Sequence, residues 1–302
     1  MLRRQFLVGL ALLFTFLAPA AAQAQFRSDR IAVTTTGSGA DVVLVHGLGS
    51  SPRVWRGLTQ TLPGYRYHLV QVKGFAGVPA EGNAGTSGPV AAPVAEEIAR
   101  YIGESIGRPA AVIGHSMGGT IAMMVAARHP ERVSRLMVVD MLPYLGDMFG
   151  PGQSAEGLRA IAEQVRAGIA DSPMDAYRAR NEQTLAGMIA TESERPAAIA
   201  DTMASDRSVS GRSMYELITT DLKPELSRIT APTRVLYVTP FGAPLTDAQM
   251  DGYYQLSYRN LPGVQLQRVG NARHFIMYDQ PELFVQEVRN FLAAPARSGE
   301  RG

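Results

Sequence analysis

The sequence of 302 residues contains no cysteine and only five histidines, and this scarcity limits its chemistry. Without thiols the chain forms no disulfide bond and carries no lipid anchor on a cysteine. The histidines are scattered and show no ligand spacing of the zinc type, so we expect no metal site. The absence of thiols is also compatible with an oxidising compartment.

The chain also lacks a surplus of one charge. Lys and Arg number 29 against 27 Asp and Glu, which gives a formal net charge of +2, and the basic residues form no run. Because a nucleic acid or an anionic membrane surface attracts a basic patch, we expect neither as a partner. The glycine-rich segments lack the strand–helix placement of a nucleotide fingerprint, so we expect no nucleotide cofactor.

The N-terminus lacks the roughly 20 consecutive apolar residues that a membrane-spanning helix needs. Its apolar run, Phe6–Leu17, has 12 residues, follows Arg3 and Arg4, and precedes the sequence Ala-Gln-Ala at 22–24. This order is typical of a secretory signal peptide. We predict that residues 1–24 are removed and that the mature chain, uncharged overall without the two arginines, is periplasmic or secreted in a bacterium. It would then have no stable membrane anchor.

Strand and helix patterns alternate along most of the remaining chain. Short strand patterns occupy residues 30–36, 41–46, 67–72, 109–113, 135–140, 233–239 and 264–269. Helical patterns occupy residues 55–62, 93–106, 117–128, 246–258 and 281–292. This alternation predicts an α/β fold with a doubly wound, mostly parallel sheet.

The alternation stops between residues 141 and 230, where helical patterns follow one another without a strand. They lie near residues 155–169, 173–188, 196–203 and 212–220. We predict an inserted helical lid over 141–230, between core parts 25–140 and 231–294, and a disordered tail over 295–302. The segment is rich in methionine, at positions 141, 148, 174, 188, 203 and 214. These side chains either fill gaps or form an adaptable apolar wall, which favours an uncharged or weakly polar small molecule as substrate.

Residues 114–119 read Gly-His-Ser-Met-Gly-Gly, between a predicted strand and a predicted helix. G-x-S-x-G in this context is the nucleophile elbow, which presents a serine hydroxyl at the tip of a strand. Small residues at 114 and 118 let the strand and the helix pass close together, where a Cβ atom would collide. We predict that Ser116 is a catalytic nucleophile.

A serine hydroxyl needs an adjacent base, and His274 is placed to supply it. It follows the last predicted strand and precedes the last helix, whereas the histidines at 46, 68, 115 and 129 lie at strand or helix positions. The loop His46-Gly-Leu-Gly49 follows an early strand, where this fold supplies part of an oxyanion hole. We predict that the main-chain N–H groups of Leu48 and Met117 are its donors.

Together these motifs resemble the α/β-hydrolase superfamily, in particular lid-bearing esterases of the pimeloyl-carrier methyl-ester esterase and haloperoxidase types. The resemblance also covers the segments 221–233 and 274–284. It implies a cofactor-independent serine hydrolase that cleaves a carboxylic ester through a Ser-His-Asp triad and an acyl-enzyme. Amidases, thioesterases, C–C hydrolases and acyltransferases use the same machinery. A binding protein of the same fold, without turnover, is the alternative from another class.

The acid of the triad is open at this point. The resemblance implies a Gly-x-x-Asp turn after the penultimate strand, but residues 238–246 contain no carboxylate. Asp140 ends the strand pattern 135–140, where some dehalogenase-type relatives carry their acid. Asp247 is the alternative, although an aspartate after the N-capping Thr246 is also favoured for local reasons. We favour Asp140.

Overall fold

The computed structural model describes residues 26–150 and 152–294. The predicted signal peptide, residues 1–24, and the predicted tail, residues 295–302, lie outside these described residues. Within the described ranges, no helix has both the length and the apolar character needed to cross a membrane.

Seven strands form one sheet in the order β1-β3-β2-β4-β5-β6-β7. Their bounds are β1 Ile31–Gly37, β2 Ala40–Val45, β3 Tyr65–Val72, β4 Ala110–His115, β5 Val133–Val139, β6 Thr233–Tyr237 and β7 Gln265–Arg268. Only the edge strand β1 runs antiparallel to its neighbour, and the other five pairs are parallel. The predicted mostly parallel sheet is therefore confirmed.

Most of the strands are connected through α-helices. In chain order along the described residues, the helices are α1 Arg56–Thr61, α2 Ala91–Tyr101, α3 Met117–Arg128, α4 Arg159–Ala170, α5 Met174–Met188, α6 Arg195–Ala204, α7 Arg207–Thr219, α8 Asp247–Ser257, α9 Ile276–Asp279 and α10 Pro281–Ala293. The helices α2, α3 and α8 pack on one face of the sheet, and α1, α9 and α10 pack on the other. The sheet is thus doubly wound, as predicted.

The strand β2 shows why its sequence is a continuous apolar run. Val43 and Val45 belong to the core on one face of the sheet, whereas Val42 and Leu44 belong to the core on the other. Since successive side chains of a strand point to opposite faces, both faces must be covered for four consecutive residues to be buried. This burial places the end of β2 and the loop that follows it deep in the molecule.

Helices α4 to α7 occupy the connection between β5 and β6, where the sequence predicts helices alone. The start of α7 was predicted wrongly at residue 212, because the helix begins at Arg207. Asp206 caps it, with the main-chain N–H of Val209 donating to the carboxylate at 3.0 Å. Its buried face includes Arg212 and Glu216, two charged residues that obscure the apolar period of an amphipathic helix.

Two glycines let α3 cross the sheet at close range. A Cβ atom at Gly114 would overlap the main-chain carbonyl of Gly118, and a Cβ atom at Gly118 would overlap the carbonyl of Val45. Both obstacles are backbone atoms in buried elements, so neither can move aside cheaply. The contact fixes the first turn of α3 against the ends of β2 and β4.

We predict that Gly118→Ala destabilises the protein by about 1–3 kcal/mol, because the new methyl group must displace the carbonyl of Val45. Gly252→Ala is the matched control. Gly252 lies inside α8 with no atom near the position of its missing Cβ, so alanine there should stabilise the helix by about 0.5–1 kcal/mol. Urea unfolding of both variants measures the difference, and equal stabilities would contradict this account.

Candidate active site

Ser116 connects β4 to α3 in a strained backbone conformation, with φ 54° and ψ −125°. Its N–H group donates to the carbonyl of Val139 at 3.0 Å, and its carbonyl accepts from Gly119 at 2.7 Å. A positive φ at a residue with a Cβ atom costs about 1–3 kcal/mol and persists only where the surroundings impose it. These bonds, together with the tight crossing of α3, impose it here and hold the serine at the strand tip.

Asp140 follows β5 and also has a positive φ, of 50°. Its N–H group donates to the carbonyl of Leu236 at 2.7 Å. One carboxylate oxygen, Oδ1, accepts a hydrogen bond from the main-chain N–H of Val238 at 3.0 Å and another from the Tyr254 hydroxyl at 3.3 Å. The other oxygen, Oδ2, lies 2.6 Å from Nδ1 of His274. The structure therefore brings Asp140 and His274 together.

Asp247 lies elsewhere, at the first position of α8. Its carboxylate accepts a hydrogen bond from the Thr239 hydroxyl at 2.6 Å and forms an ion pair with Arg268 at 2.7 Å. The side chain is 60% exposed. Thr246 caps the helix through a reciprocal capping box with Gln249, so the aspartate serves the local role that its position in the first turn favours.

His274 lies between β7 and α9, and its ring packs 4.6 Å from that of His115 and edge-on against Phe275. His115 is fully buried, and burial holds its pKa well below the usual value, so its imidazole is neutral. Its Nε2 lies 3.1 Å from the carbonyl oxygen of His274 and donates to it. The histidine of the elbow, His115, is thus a packing residue that also contacts the main chain of His274.

The loop after β2 is held by His46. This side chain is buried, which lowers its pKa to about 4 and keeps it neutral. Its Nε2 accepts the N–H of Val72 at 3.1 Å, so the proton is on Nδ1 and is donated to the carbonyl of Gly47 at 2.8 Å. Beyond it, the N–H groups of Leu48 and Met117 have no hydrogen-bond acceptor within the described part of the chain. The prediction that they bind an oxyanion is compatible with this lack of an acceptor.

Two cavities meet at Ser116, and Leu48 and His274 line both of them. The larger, about 590 Å³, we call the polar chamber. Most of its lining is apolar, and its hydrogen-bonding side chains include, besides Ser116 and His274, Gln164, Tyr177, Arg180, Asn181, Thr184, Thr202 and Ser210. The smaller, about 390 Å³, we call the methionine chamber. Its apolar side chains include Met141, Met148, Met188, Met214, Met250, Leu217 and Phe241.

Four of the six methionines singled out in the sequence, at 141, 148, 188 and 214, therefore line this chamber. Met174 is exposed instead.

Among the described residues that line the polar chamber, only Arg180 carries a permanent charge. Its guanidinium donates to the carbonyl of Gly168 at 3.1 Å, and no carboxylate of the described chain lies within ion-pair distance. No local sequence pattern indicates a site role for this arginine, because it lies on an exposed turn of α5.

Tyr254 is the site residue that the sequence analysis missed. It is fully buried in α8 and stacks on Tyr237 with ring centroids 3.9 Å apart. Burial raises its pKa well above the usual value, so the hydroxyl keeps its proton and donates to Asp140. The two residues are 114 positions apart in the chain, and no local pattern could have connected them.

The described residues contain no group of three or more His, Cys, Asp or Glu side chains that could hold a metal ion. The site offers Ser116 and His274 on the walls of both cavities, with His274 paired to the carboxylate of Asp140. A serine near a histidine that is paired with a carboxylate is the type of arrangement that nucleophilic attack on a carbonyl group requires.

Comparisons with known proteins agree with this architecture. A pimeloyl-[acyl-carrier protein] methyl ester esterase of Photobacterium profundum is 30% identical over 272 residues, which cover 85% of this chain and 96% of that protein. The enzyme of the same name from Aeromonas hydrophila is 37% identical over 114 residues, or 42% of its length. A hydrolase from Pseudomonas aeruginosa PA01 has a similar fold, with a TM-score of 0.69 over 87% of this chain and 94% of its own, at 21% identity. The model of the alpha/beta hydrolase family matches residues 42–287, and the chain belongs to this family of enzymes.

Proposed function

We propose that the protein is a serine esterase that cleaves a carboxylic ester through an acyl-enzyme, with Ser116, His274 and Asp140 as its triad. The observation that carries the proposal is the 2.6 Å contact between His274 Nδ1 and Asp140 Oδ2, beside a cavity that Ser116 and His274 both line. The relatives named as methyl ester esterases support an ester as the bond that is cleaved. We do not extend the proposal to their carrier-bound substrate, since the chambers suit a small molecule.

In this mechanism His274 removes the proton of the Ser116 hydroxyl as its oxygen attacks the ester carbonyl carbon. The negative charge that develops on the carbonyl oxygen is stabilised by the N–H groups of Leu48 and Met117. Protonated His274 then gives its proton to the leaving alcohol as the C–O bond breaks. Water, deprotonated by the same histidine, hydrolyses the acyl-enzyme and regenerates the serine.

Asp140 orients His274 in this scheme and stabilises the imidazolium that forms during each half-reaction. Its carboxylate is itself oriented by the N–H of Val238 and the hydroxyl of Tyr254, so one oxygen stays directed at His274. The local bonds of Asp247 to Thr239 and Arg268 leave that residue no part in the mechanism.

We also propose that α4 to α7 act as a lid whose inner side forms most of the polar chamber and a smaller part of the methionine chamber. The methionine chamber suits an apolar limb of the substrate, because its walls are flexible thioether and aliphatic side chains. The polar chamber suits a limb that accepts hydrogen bonds, with Arg180 as the cation at its wall. The substrate would then be a small, mostly apolar ester that carries a hydrogen-bonding group on the limb that enters the polar chamber.

The acid can be tested by two conservative substitutions. Asp140→Asn should lower kcat by about 10⁴-fold, because an amide cannot hold His274 in the productive tautomer or stabilise its cation. Asp247→Asn should leave kcat close to that of the wild type. Hydrolysis of p-nitrophenyl acetate by both variants, matched for folded fraction by circular dichroism, gives the comparison. A near-wild-type kcat for Asp140→Asn would refute the assignment.

The nucleophile can be tested with a fluorophosphonate probe, which reacts covalently with activated serines. The wild type should be labelled, and Ser116→Ala should lose both the label and about 10⁶-fold of kcat. A protein that binds a ligand without turnover would show no labelling of either form. Equal labelling of the two forms would place the nucleophile elsewhere.

The same preparation separates the ester from its competitors. Matched ester, thioester and amide substrates with one acyl group should give the highest kcat/KM for the ester, because an amide carbonyl is made less electrophilic by resonance and the relatives are named as ester hydrolases rather than thioesterases. A higher kcat/KM for the thioester or the amide would redefine the enzyme as a thioesterase or an amidase.

We propose export as well, on the strength of the charged, apolar and small-residue segments within residues 1–24. The chain produced in a Gram-negative host should be recovered from the periplasm or the medium with the mass of residues 25–302. Ala24→Asp should block cleavage, because the signal peptidase site needs a small residue there. Recovery of the full-length chain from the cytoplasm would contradict the prediction.

A further inference from the structure

The C-terminal end of α5 is bonded to the segment that carries His274. The carboxylate of Asp279 accepts the main-chain N–H groups of Ala190 and Thr191, each at 2.9 Å, from the residues just after α5. It also accepts the N–H of Arg273, the residue before His274, at 2.8 Å. A single carboxylate therefore ties the inserted helices to the chain neighbour of the proposed base.

A second bond acts on the other side of His274. The N–H of Phe275 donates to the carbonyl of Met188, the last residue of α5, at 3.1 Å. The hydroxyl of Thr191 donates to the carbonyl of Tyr278 at 3.1 Å. Both chain neighbours of His274 are thus bonded at this junction, one to Asp279 and one to α5 itself.

The next helix, α6, is bonded to the loop that carries Leu48. The Ser51 hydroxyl donates to Asp201 Oδ2 at 2.6 Å, and Arg53 pairs with Oδ1 of the same carboxylate at 3.0 Å. The Thr202 hydroxyl donates to the carbonyl of Gly49, the residue after Leu48, at 3.2 Å. Asp201 and Ser51 are both buried, so the charge-assisted bond between them is shielded from water, whereas the Arg53 side chain is 41% exposed.

We propose that α5 and α6, residues 174–204, together hold the loops of His274 and Leu48 in position, and we call them the positioning bracket. This proposal rests on the proposed function and deepens it. Through Asp279 the bracket fixes the position of His274, and through Asp201 it fixes the position of the oxyanion donor Leu48. Asp279 and Asp201 touch no substrate. They act through the two loops, and the bracket sets the distance between base and oxyanion hole.

The size of the expected effect follows from how sharply catalysis depends on geometry. A displacement of about 1 Å at a reacting group can cost about 10²-fold in rate. Loss of Asp279 leaves the half-buried N–H groups of Thr191 and Arg273 without an acceptor, and loss of Asp201 leaves the buried hydroxyl of Ser51 without one, so each loop must shift to find new partners. Substrate binding depends mainly on the chamber walls, which neither carboxylate lines. We therefore expect kcat to change far more than KM.

The test compares Asp279→Ala and Asp201→Ala with Glu163→Gln, measured as p-nitrophenyl acetate hydrolysis per active site titrated by the burst of p-nitrophenol. Each bracket variant should lose about 10- to 100-fold in kcat, with KM within about two-fold of the wild type. Glu163 pairs with Arg166 on the exposed side of α4 and touches neither loop, so its variant should match the wild type. A merely structural role would reduce the number of titrated sites and leave kcat per site unchanged, which would overturn the proposal.

Hydrogen–deuterium exchange measures how firmly the main chain of the two loops is held, and it does not depend on activity. Asp279→Ala should speed exchange in the peptide that covers 273–275 and leave the peptide that covers 47–51 unchanged, and Asp201→Ala should do the reverse. Unchanged exchange in both peptides would overturn the bracket even if Ser116→Ala were to abolish activity. Activity that survives in Ser116→Ala would refute the proposed function, and the exchange result would still decide whether the bracket holds the loops.

Milder variants cover the case in which an alanine variant fails to fold. Thr191→Val and Thr202→Val each remove one hydroxyl donor across the two junctions while conserving side-chain shape. The loss of one hydrogen bond should lower kcat by about five-fold. Wild-type kcat per titrated site and wild-type exchange in both valine variants would contradict the bracket.

Discussion

The close crossing of α3 over β2 and β4 is the constraint on which the rest of the site depends. Because Gly118 lies against the carbonyl of Val45, the turn before it is compressed, and Ser116 is held at a positive φ. The N–H of Ser116 then reaches the carbonyl of Val139, at the end of the neighbouring strand. The residue after Val139 is Asp140, so one strand pair positions both the nucleophile and the proposed acid.

The register of the next strand pair completes the arrangement. Asp140 donates its N–H to Leu236 and accepts the N–H of Val238, which fixes it against the end of β6 at two points. Its carboxylate is thereby directed toward His274, which follows β7. Parallel strands end at the same edge of a sheet, so an acid after β5 can reach this histidine although the turn after β6 contains no carboxylate. The order Ser, Asp, His along the chain is kept.

Local patterns made most of the fold and two members of the site predictable. Strands buried on both faces appear as continuous apolar runs, and Ser116 and His274 occupy positions that a short motif identifies. The acid was left open between Asp140 and Asp247, because the choice depends on sheet register between residues 134 positions apart. The start of α7 was missed for a similar reason. Glu216 lies on the buried face of α7, where its carboxylate accepts the N–H groups at the start of α2. In the sequence, a charged residue at this position instead suggests an exposed helix face.

In the proposed function, the inserted helices link substrate binding to catalysis through residues that serve both. Met188 lines both chambers, and its carbonyl accepts the N–H of Phe275, the residue next to His274. Thr202 lines the polar chamber while its hydroxyl is bonded to Gly49. A substitution at Met188 or Thr202 that changes the shape of a chamber wall should therefore also shift the loop of His274 or of Leu48, because the same residue contacts both. Met141 and Met250 line the methionine chamber from outside these helices, so a change of the chamber wall there leaves the bonds of α5 and α6 to the loops of His274 and Leu48 in place.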